Sequence, residues 1–309
     1  MRVAGIDCGT NSIRLLVGDA ATRSDALADV VREMRVVRLG QDVDRTGRLA
    51  AEALERTRLA LADYAATITE LGAERVRMVA TSATRDASNR DEFVAMVRGV
   101  LGVDPEVITG DEEAALSFHG AVASLSGDSS GAFLVADIGG GSTELVRGGA
   151  DGVQSSFSMN VGCVRMTERH LHDDPPTPAQ IDATVADLRA ALAVAGSVVD
   201  LTAPARFVGV AGTVTTIAAI VLDLATYDAD AIHDSVLTAE QVAVVTDRLL
   251  HMTHAERAAL PVMHPGRVDV IGGGALVLRT LMEETGAREV VASEHDILDG
   301  IAASLLPEG

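Results

Sequence analysis

Short apolar runs at residues 3–7, 13–18 and 34–39, separated by Gly, Asp and Ser, predict a three-stranded start to the chain. The period then lengthens. Over residues 49–71, Leu54, Leu61 and Ile68 interleave with Glu52, Glu55, Arg56 and Arg58 ahead of Gly72, the pattern of an amphipathic helix with a C-cap glycine. A strand follows at residues 75–80. Ser88 and Asn89 then open a helix with Asp91 and Glu92 in its first turn and an apolar period through Val94, Val97 and Val100. A short strand at 106–108 and a helix over about 111–124 end this half.

Residues 126–131, Ser-Gly-Asp-Ser-Ser-Gly, are the best linker candidate, and after them the pattern restarts. An apolar run at 132–137 ends in Asp137, is followed by Gly139, Gly140, Gly141, Ser142 and Thr143, and leads into a strand at 144–147. The same order occurs at the N-terminus, where Asp7 precedes Gly9, Thr10, Asn11 and Ser12 and a second strand; Asp137 stands 130 residues after Asp7. Helices are expected at 178–199, 214–224, 239–251 and 275–285, and strands at 207–210, 268–271 and 289–291. The economical reading is two similar α/β lobes, residues 1–125 and 126–309.

Composition narrows the functions these lobes can serve. With 48% hydrophobic and 23% charged residues, the 309-residue chain holds enough apolar material for two cores. All 25 basic residues are arginine, which excludes a lysine-dependent P-loop or Schiff base. Against 45 acids they leave a net charge of −20, which disfavours a long basic track for nucleic acid or an anionic membrane. Residues 1–124 carry 15 arginines against 20 acids, net −5, and residues 125–309 carry 10 against 25, net −15, so anion handling is expected mainly in the first lobe. The absence of tryptophan and 2% aromatics leave little for base stacking. Cys8 and Cys163 lack metal or disulfide spacing, and no stretch reads as a signal peptide or membrane span, so a cytoplasmic protein without nucleic-acid or membrane partners is expected.

A strand ending in aspartate, followed by a glycine-rich turn with hydroxyl residues, can hold phosphate on successive backbone N–H groups and a metal ion beside them. One such turn is commonly just a tight turn. Two, at residues 7–12 and 137–144, are expected to face each other across a cleft between the lobes.

These two turns resemble the phosphate loops of the actin, sugar-kinase and heat-shock ATPase superfamily. More narrowly, Asp-Cys-Gly-Thr-Asn-Ser-Ile-Arg-Leu-Leu-Val at 7–17 is similar to the opening of the exopolyphosphatase and guanosine pentaphosphate phosphohydrolase family. The resemblance continues through segments 80–87, 108–114, 137–144, 161–168, 209–213 and 272–275. It implies two ribonuclease-H-like (actin-like ATPase) domains with an inter-domain cleft, and hydrolysis of terminal phosphate from inorganic polyphosphate. It places the water-activating carboxylate at Glu113, with neighbouring Glu112 the competing candidate. It places Mg²⁺ at Asp137 and Glu144, with Asp7 as a further ligand candidate. Phosphate oxygens fall to Gly9, Thr10, Asn11, Ser12, Arg14, Arg85, Gly139, Gly140, Gly141, Ser142 and Thr143.

The resemblance leaves guanosine pentaphosphate as the competing substrate. A kinase of the same superfamily, using Gly272, Gly273, Gly274 and Ala275 at adenine, is a second alternative, and a non-enzymatic nucleotide sensor or filament subunit a third; a homodimer is left open. Longer family members carry C-terminal domains beyond the second lobe, so this chain and its acidic field lead to the expectation of short polyphosphates. His170 and His172 read as a solvated loop pair, His295-Asp296 as an isolated doublet, Cys163 as a small buried residue, and the glycine run at 272–274 as a strand-to-helix turn.

Overall fold

The computed structural model describes residues 1–23, 25–123, 125, 131–202, 204 and 206–308. The chain divides into two compact units, Met1–Ser124 with Asp296–Gly309, and Leu125–His295. The linker candidate at 126–131 falls, except for Gly131, outside the described residues.

The first unit begins with β1 (Arg2–Cys8), β2 (Ser12–Asp19) and β3 (Ala28–Val36), followed by α1 (Val43–Thr46), α2 (Ala51–Leu71), β4 (Arg75–Ala80), α3 (Ser82–Asp86), α4 (Arg90–Leu101), β5 (Glu106–Val107) and α5 (Gly110–Ala123). Among the described residues they form a five-stranded sheet of order β3-β2-β1-β4-β5. The first three strands are antiparallel, and β4 and β5 run parallel to β1. β1 is buried along Val3–Cys8, while β2 packs Ile13, Leu15 and Val17 with Leu61, Tyr64 and Phe93 of α2 and α4. Gly72 and Gly102 cap α2 and α4 at φ of 67° and 74°, which a side chain would strain. The third strand lies earlier than the run at 34–39 predicted. As the sheet edge it carries Asp29, Arg32 and Glu33, and Val37 and Leu39 reach the core only after it has ended.

The second unit repeats the plan with β6 (Phe133–Ile138), β7 (Thr143–Gly149), β8 (Gly152–Met159), α6 (Cys163–His170), α7 (Pro178–Ala195), β9 (Arg206–Val210), α8 (Ala211–Val221), α9 (Ala229–Ile232), β10 (Val236–Thr238), α10 (Ala239–His251), α11 (His254–Ala258), α12 (Ile271–Thr285) and β11 (Glu289–Ala292). Its sheet order, β8-β7-β6-β9-β11-β10, is that of the first unit with one added edge strand. These are the two ribonuclease-H-like domains expected. No described helix is long and apolar enough to cross a membrane.

Three expectations are corrected in this unit. The strand at 268–271 is absent, because Ile271, Gly272, Gly273 and Gly274 form the first turn of α12. The glycine run is therefore no strand-to-helix turn; a Cβ on Gly273 would stand 2.6 Å from Thr167 Oγ1 and one on Gly274 2.5 Å from Thr213 Oγ1, so bare glycines let α12 lie close on α6 and α8. His170 is not in a loop: it ends α6, where its Nε2 lies 3.0 Å from Asp187 Oδ2 on α7.

The last helix, α13 (Ile297–Ser304), returns to the first unit instead of completing the second, so residues 296–309 leave the domain assigned to them from the sequence. Leu298, Ala302 and Leu306 pack on Val3 and Leu16, and Ile297 and Ile301 on Val79 and Ile108. Two glycines set its distance from α5. A Cβ on Gly120 would stand 1.8 Å from the Asp296 carbonyl oxygen, and one on Gly300 2.1 Å from that of Leu116. Gly120→Ala is expected to destabilise the protein by about 3 kcal/mol, because backbone on the facing helix cannot rotate aside. Urea denaturation measures this, and an unchanged midpoint would show that α5 and α13 separate without cost.

Candidate active site

The two glycine turns are built alike. Gly9 N donates to Ser12 O at 3.0 Å in the first, and Gly139 N donates to Ser142 O at 3.1 Å in the second. Each turn joins antiparallel strands and fixes a register in which Asp7 is opposite Arg14 and Asp137 is opposite Glu144. Directly opposed residues point to the same face of a sheet, with Cβ atoms roughly 5 Å apart.

The first turn is held from several sides. Gly40 N donates to Thr10 O, and Val37 N and Arg38 N both donate to Asn11 O. Thr10 Oγ1 and Ser82 Oγ are hydrogen-bonded at 2.8 Å, tying the turn to α3. A Cβ on Gly40 would stand 2.2 Å from Thr10 Cγ2, so Thr10 requires a glycine opposite. Beside the turn, Arg14 donates from Nε and Nη2 to Asp7 Oδ2, at 3.0 and 2.7 Å, and from Nη1 to Asp296 Oδ2. Both carboxylates are buried, so this arginine is the counter-charge that permits them. Burial pulls the guanidinium pKa down; Asp296 and Asp7 outweigh it and raise the Arg14 pKa well above its usual value. Burial also pushes the Asp7 carboxyl upward, against the pull of Arg14. Sequence reasoning dismissed Asp296, whose partner lies 282 residues away.

The second turn is backed by α6. Cys163 N donates to Gly139 O, and Val164 N and Arg165 N donate to Gly140 O. A Cβ on Gly162 would meet Gly140 O at 2.5 Å, which excludes a side chain there. Ser142 and Thr143 are buried, and the Thr143 hydroxyl donates to Val161 O at 2.7 Å. Glu144 accepts from Ser158 Oγ at 2.7 Å, and both Asp137 and Glu144 are buried. A cation suits this pair of opposed acids, and two carboxylates with water and phosphate oxygens match the usual magnesium inventory. Among the described residues no three His, Cys, Asp or Glu gather as a ready-made metal cage. Asp7, the third expected ligand, accepts from Arg14 on Oδ2.

Glu112 and Glu113 separate cleanly. Glu112 is exposed and closes the N-terminus of α5: Thr109 N donates to Glu112 Oε2 at 3.3 Å, and Glu112 N donates to Thr109 Oγ1 at 3.2 Å. Glu113 is buried at 7% exposure and accepts from Arg85 Nη1 at 3.0 Å on Oε2. The first turn of α5 adds its positive end to that charge. Arg85, expected at phosphate, therefore has its first partner in Glu113.

Both cysteines are poorly placed to act as nucleophiles. Cys8 and Cys163 are both free and buried, and burial pushes both thiols upward, away from the reactive thiolate.

Residues 19–308 match the Ppx/GppA phosphatase family. A Mycobacterium tuberculosis protein named Exopolyphosphatase 2 is 53% identical over 315 residues, covering 98% of each chain. The crystal structure of an exopolyphosphatase-like protein, 47% identical, superposes with a TM-score of 0.92 over 97% of both chains. A Ppx/GppA family member from Aquifex aeolicus, 31% identical, gives 0.82 over 98% of this chain and 97% of its own.

Arg14→Met is expected to destabilise the protein by about 3–5 kcal/mol, because it strands Asp7 and Asp296 as buried charges without their cation. Chemical denaturation tests this; a loss under 1 kcal/mol would mean that water reaches both acids. The thiols provide a second check. Ellman's reagent at neutral pH is expected to leave both cysteines unreacted in the native protein and to titrate both in denaturant; a fast native thiol would contradict the assignment.

Proposed function

Because the chain belongs to the Ppx/GppA phosphatase family, we propose that it is an exopolyphosphatase, releasing terminal orthophosphate from short inorganic polyphosphate with Mg²⁺. The near-full-length similarity to the mycobacterial exopolyphosphatase carries the choice of substrate.

The chemistry follows from the residues already placed. In the turns at 9–12 and 139–143, the Gly9 and Gly139 amides close the turn on Ser12 O and Ser142 O, and the backbone N–H groups between them hold phosphate oxygens without a lysine. Arg14 uses three of its five N–H donors on Asp7 and Asp296 and directs the others at phosphate. Asp137 and Glu144 would hold a magnesium ion, whose chemistry when bound would be to offset charge on the phosphate oxygens. Glu113 orients a water in line with the terminal phosphorus and accepts its proton. The new P–O bond forms as the anhydride bond to the bridging oxygen breaks, giving orthophosphate and a chain one phosphate shorter. Phosphoryl transfer has a loose transition state, so orientation and charge contribute more than base strength. A carboxylate held by an arginine suits that demand.

Phosphate release is to be measured on polyphosphates of graded length, guanosine pentaphosphate and ATP, with magnesium and after chelation. The expected outcome is metal-dependent turnover of short polyphosphate, lowered by on the order of 10²–10⁴-fold in Glu113→Gln. Wild-type activity in that variant would remove Glu113 from the mechanism. Turnover confined to guanosine pentaphosphate would replace the substrate, and catalytic efficiency rising with chain length into the hundreds would overturn the short-chain preference.

A further inference from the structure

Arg85 lies near the end of α3, the short helix that follows β4, while Ile108 closes β5 just ahead of α5. Its Nη1 donates to both the Ile108 carbonyl and Glu113 Oε2, each at 3.0 Å. The Ile108 carbonyl is itself anchored, because Ile108 N donates to Ala80 O at 3.1 Å and so joins the ends of β5 and β4. One nitrogen therefore links the carboxylate to two strand ends of the sheet. The Arg85 side chain is 24% exposed and the Glu113 side chain 9%, so the pair is largely shielded from competing water.

A phosphate-binding arginine presents parallel N–H groups to the ligand's oxygens. Here Nη1 is held by protein on two sides, and one partner is a backbone oxygen that cannot shift without displacing β5. Glu113 sits in the first turn of α5, where its side-chain torsions would otherwise let the carboxylate turn away from an attacking water.

We infer that Arg85 is a positioning residue that acts through Glu113, fixing the orientation of its carboxylate, in place of the direct phosphate contact expected from the sequence. This rests on the reading of Glu113 as the group that orients water. A misplacement of about 1 Å at such a group costs on the order of 10²-fold in rate. Loss of Arg85 should accordingly appear in kcat and leave substrate binding alone, whereas loss of a phosphate ligand raises KM.

The test is a kinetic cycle on the full-length protein with short polyphosphate, using Arg85→Gln, Glu113→Gln and the double variant, with Arg85→Lys as a conservative control. Arg85→Gln is expected to lower kcat by on the order of 10–100-fold with KM within about twofold. In the Glu113→Gln background it should cost nothing further, because the group it positions is already gone. Arg85→Lys should recover part of kcat, since an ammonium still offers Glu113 a charged donor. Thermal midpoints within a few degrees of wild type show that each variant is folded; if Arg85→Gln does not fold, the kcat and KM of Arg85→Lys decide. A rise in KM at unchanged kcat, or a full multiplicative loss in the double variant, overturns the inference while leaving Glu113 in place. Wild-type kcat in Glu113→Gln removes the underlying reading instead, so the two failures are distinct.

Discussion

A single hydrogen bond, from a glycine amide to the carbonyl of the serine three residues on, sets the geometry of each unit. It occurs at Gly9 and Ser12 and again at Gly139 and Ser142. By reversing the strand in so few residues it locks a register in which the residue two before the glycine opposes the residue two after the serine. Strand alternation then dictates the rest, since a slip of one residue would exchange the residues of β2 that face α2 and α4 with those that face α13. In that register Ala4, Ile6, Cys8, Ile13, Leu15 and Val17 share one core, and Val3 and Leu16 lie in the other.

The same scaffold carries opposite charges at equivalent positions. Residues 7 and 137 are both aspartate, but residue 14 is arginine where residue 144 is glutamate. In the first unit the aspartate is neutralised from within by a cation that also holds Asp296. In the second, two acids are opposed and a divalent ion becomes the natural partner. One difference of charge thus gives the two equivalent turns different partners, an arginine in the first and a second acid in the second. Net field does less to separate the units than the sequence count suggested. Once residues 296–309 join the first unit, it carries 15 arginines against 23 acids, net −8, and the second 10 against 22, net −12. A difference that small is screened beyond about 8 Å at physiological salt, so selectivity for phosphate belongs to the local donors.

What could be read from the sequence was local. β4 and the core of α2 follow from short-range periodicity, as does Gly72 at the end of α2. The duplicated turns are legible because their backbone demands recur at a spacing of 130 residues. The assignment of the paired glutamates was also within reach: Thr109-Gly110-Asp111-Glu112 has capping-box spacing, which commits Glu112 to the helix end and leaves Glu113 for the interior. Other features depended on tertiary contacts that no window contains. Arg85 meets Glu113 across 28 residues, and α13 is short, begins at a His-Asp pair that read as an isolated doublet, and finds its place only against β1, β2 and α5. β8 was missed because an edge strand tolerates the serines and glutamine that read as loop.

The two turns also differ in what maintains them. The first is held by hydrogen bonds and one tight contact: the Thr10 hydroxyl on Ser82, the Thr10 and Asn11 carbonyls on amides 37–40, and Thr10 Cγ2 over a bare Gly40. The second leans on a stack of backbones. Its carbonyls accept from the N-terminus of α6, α6 approaches only because residue 162 has no side chain, and α6 in turn rests on α12 where residues 273 and 274 have none. A methyl group anywhere in that stack would be transmitted to the loop, since close-packed helices have no slack in which to absorb it. The glycine run that looked like a nucleotide-contacting turn therefore has a sufficient mechanical role two layers behind the loop, and the case for a kinase loses the feature that most favoured it.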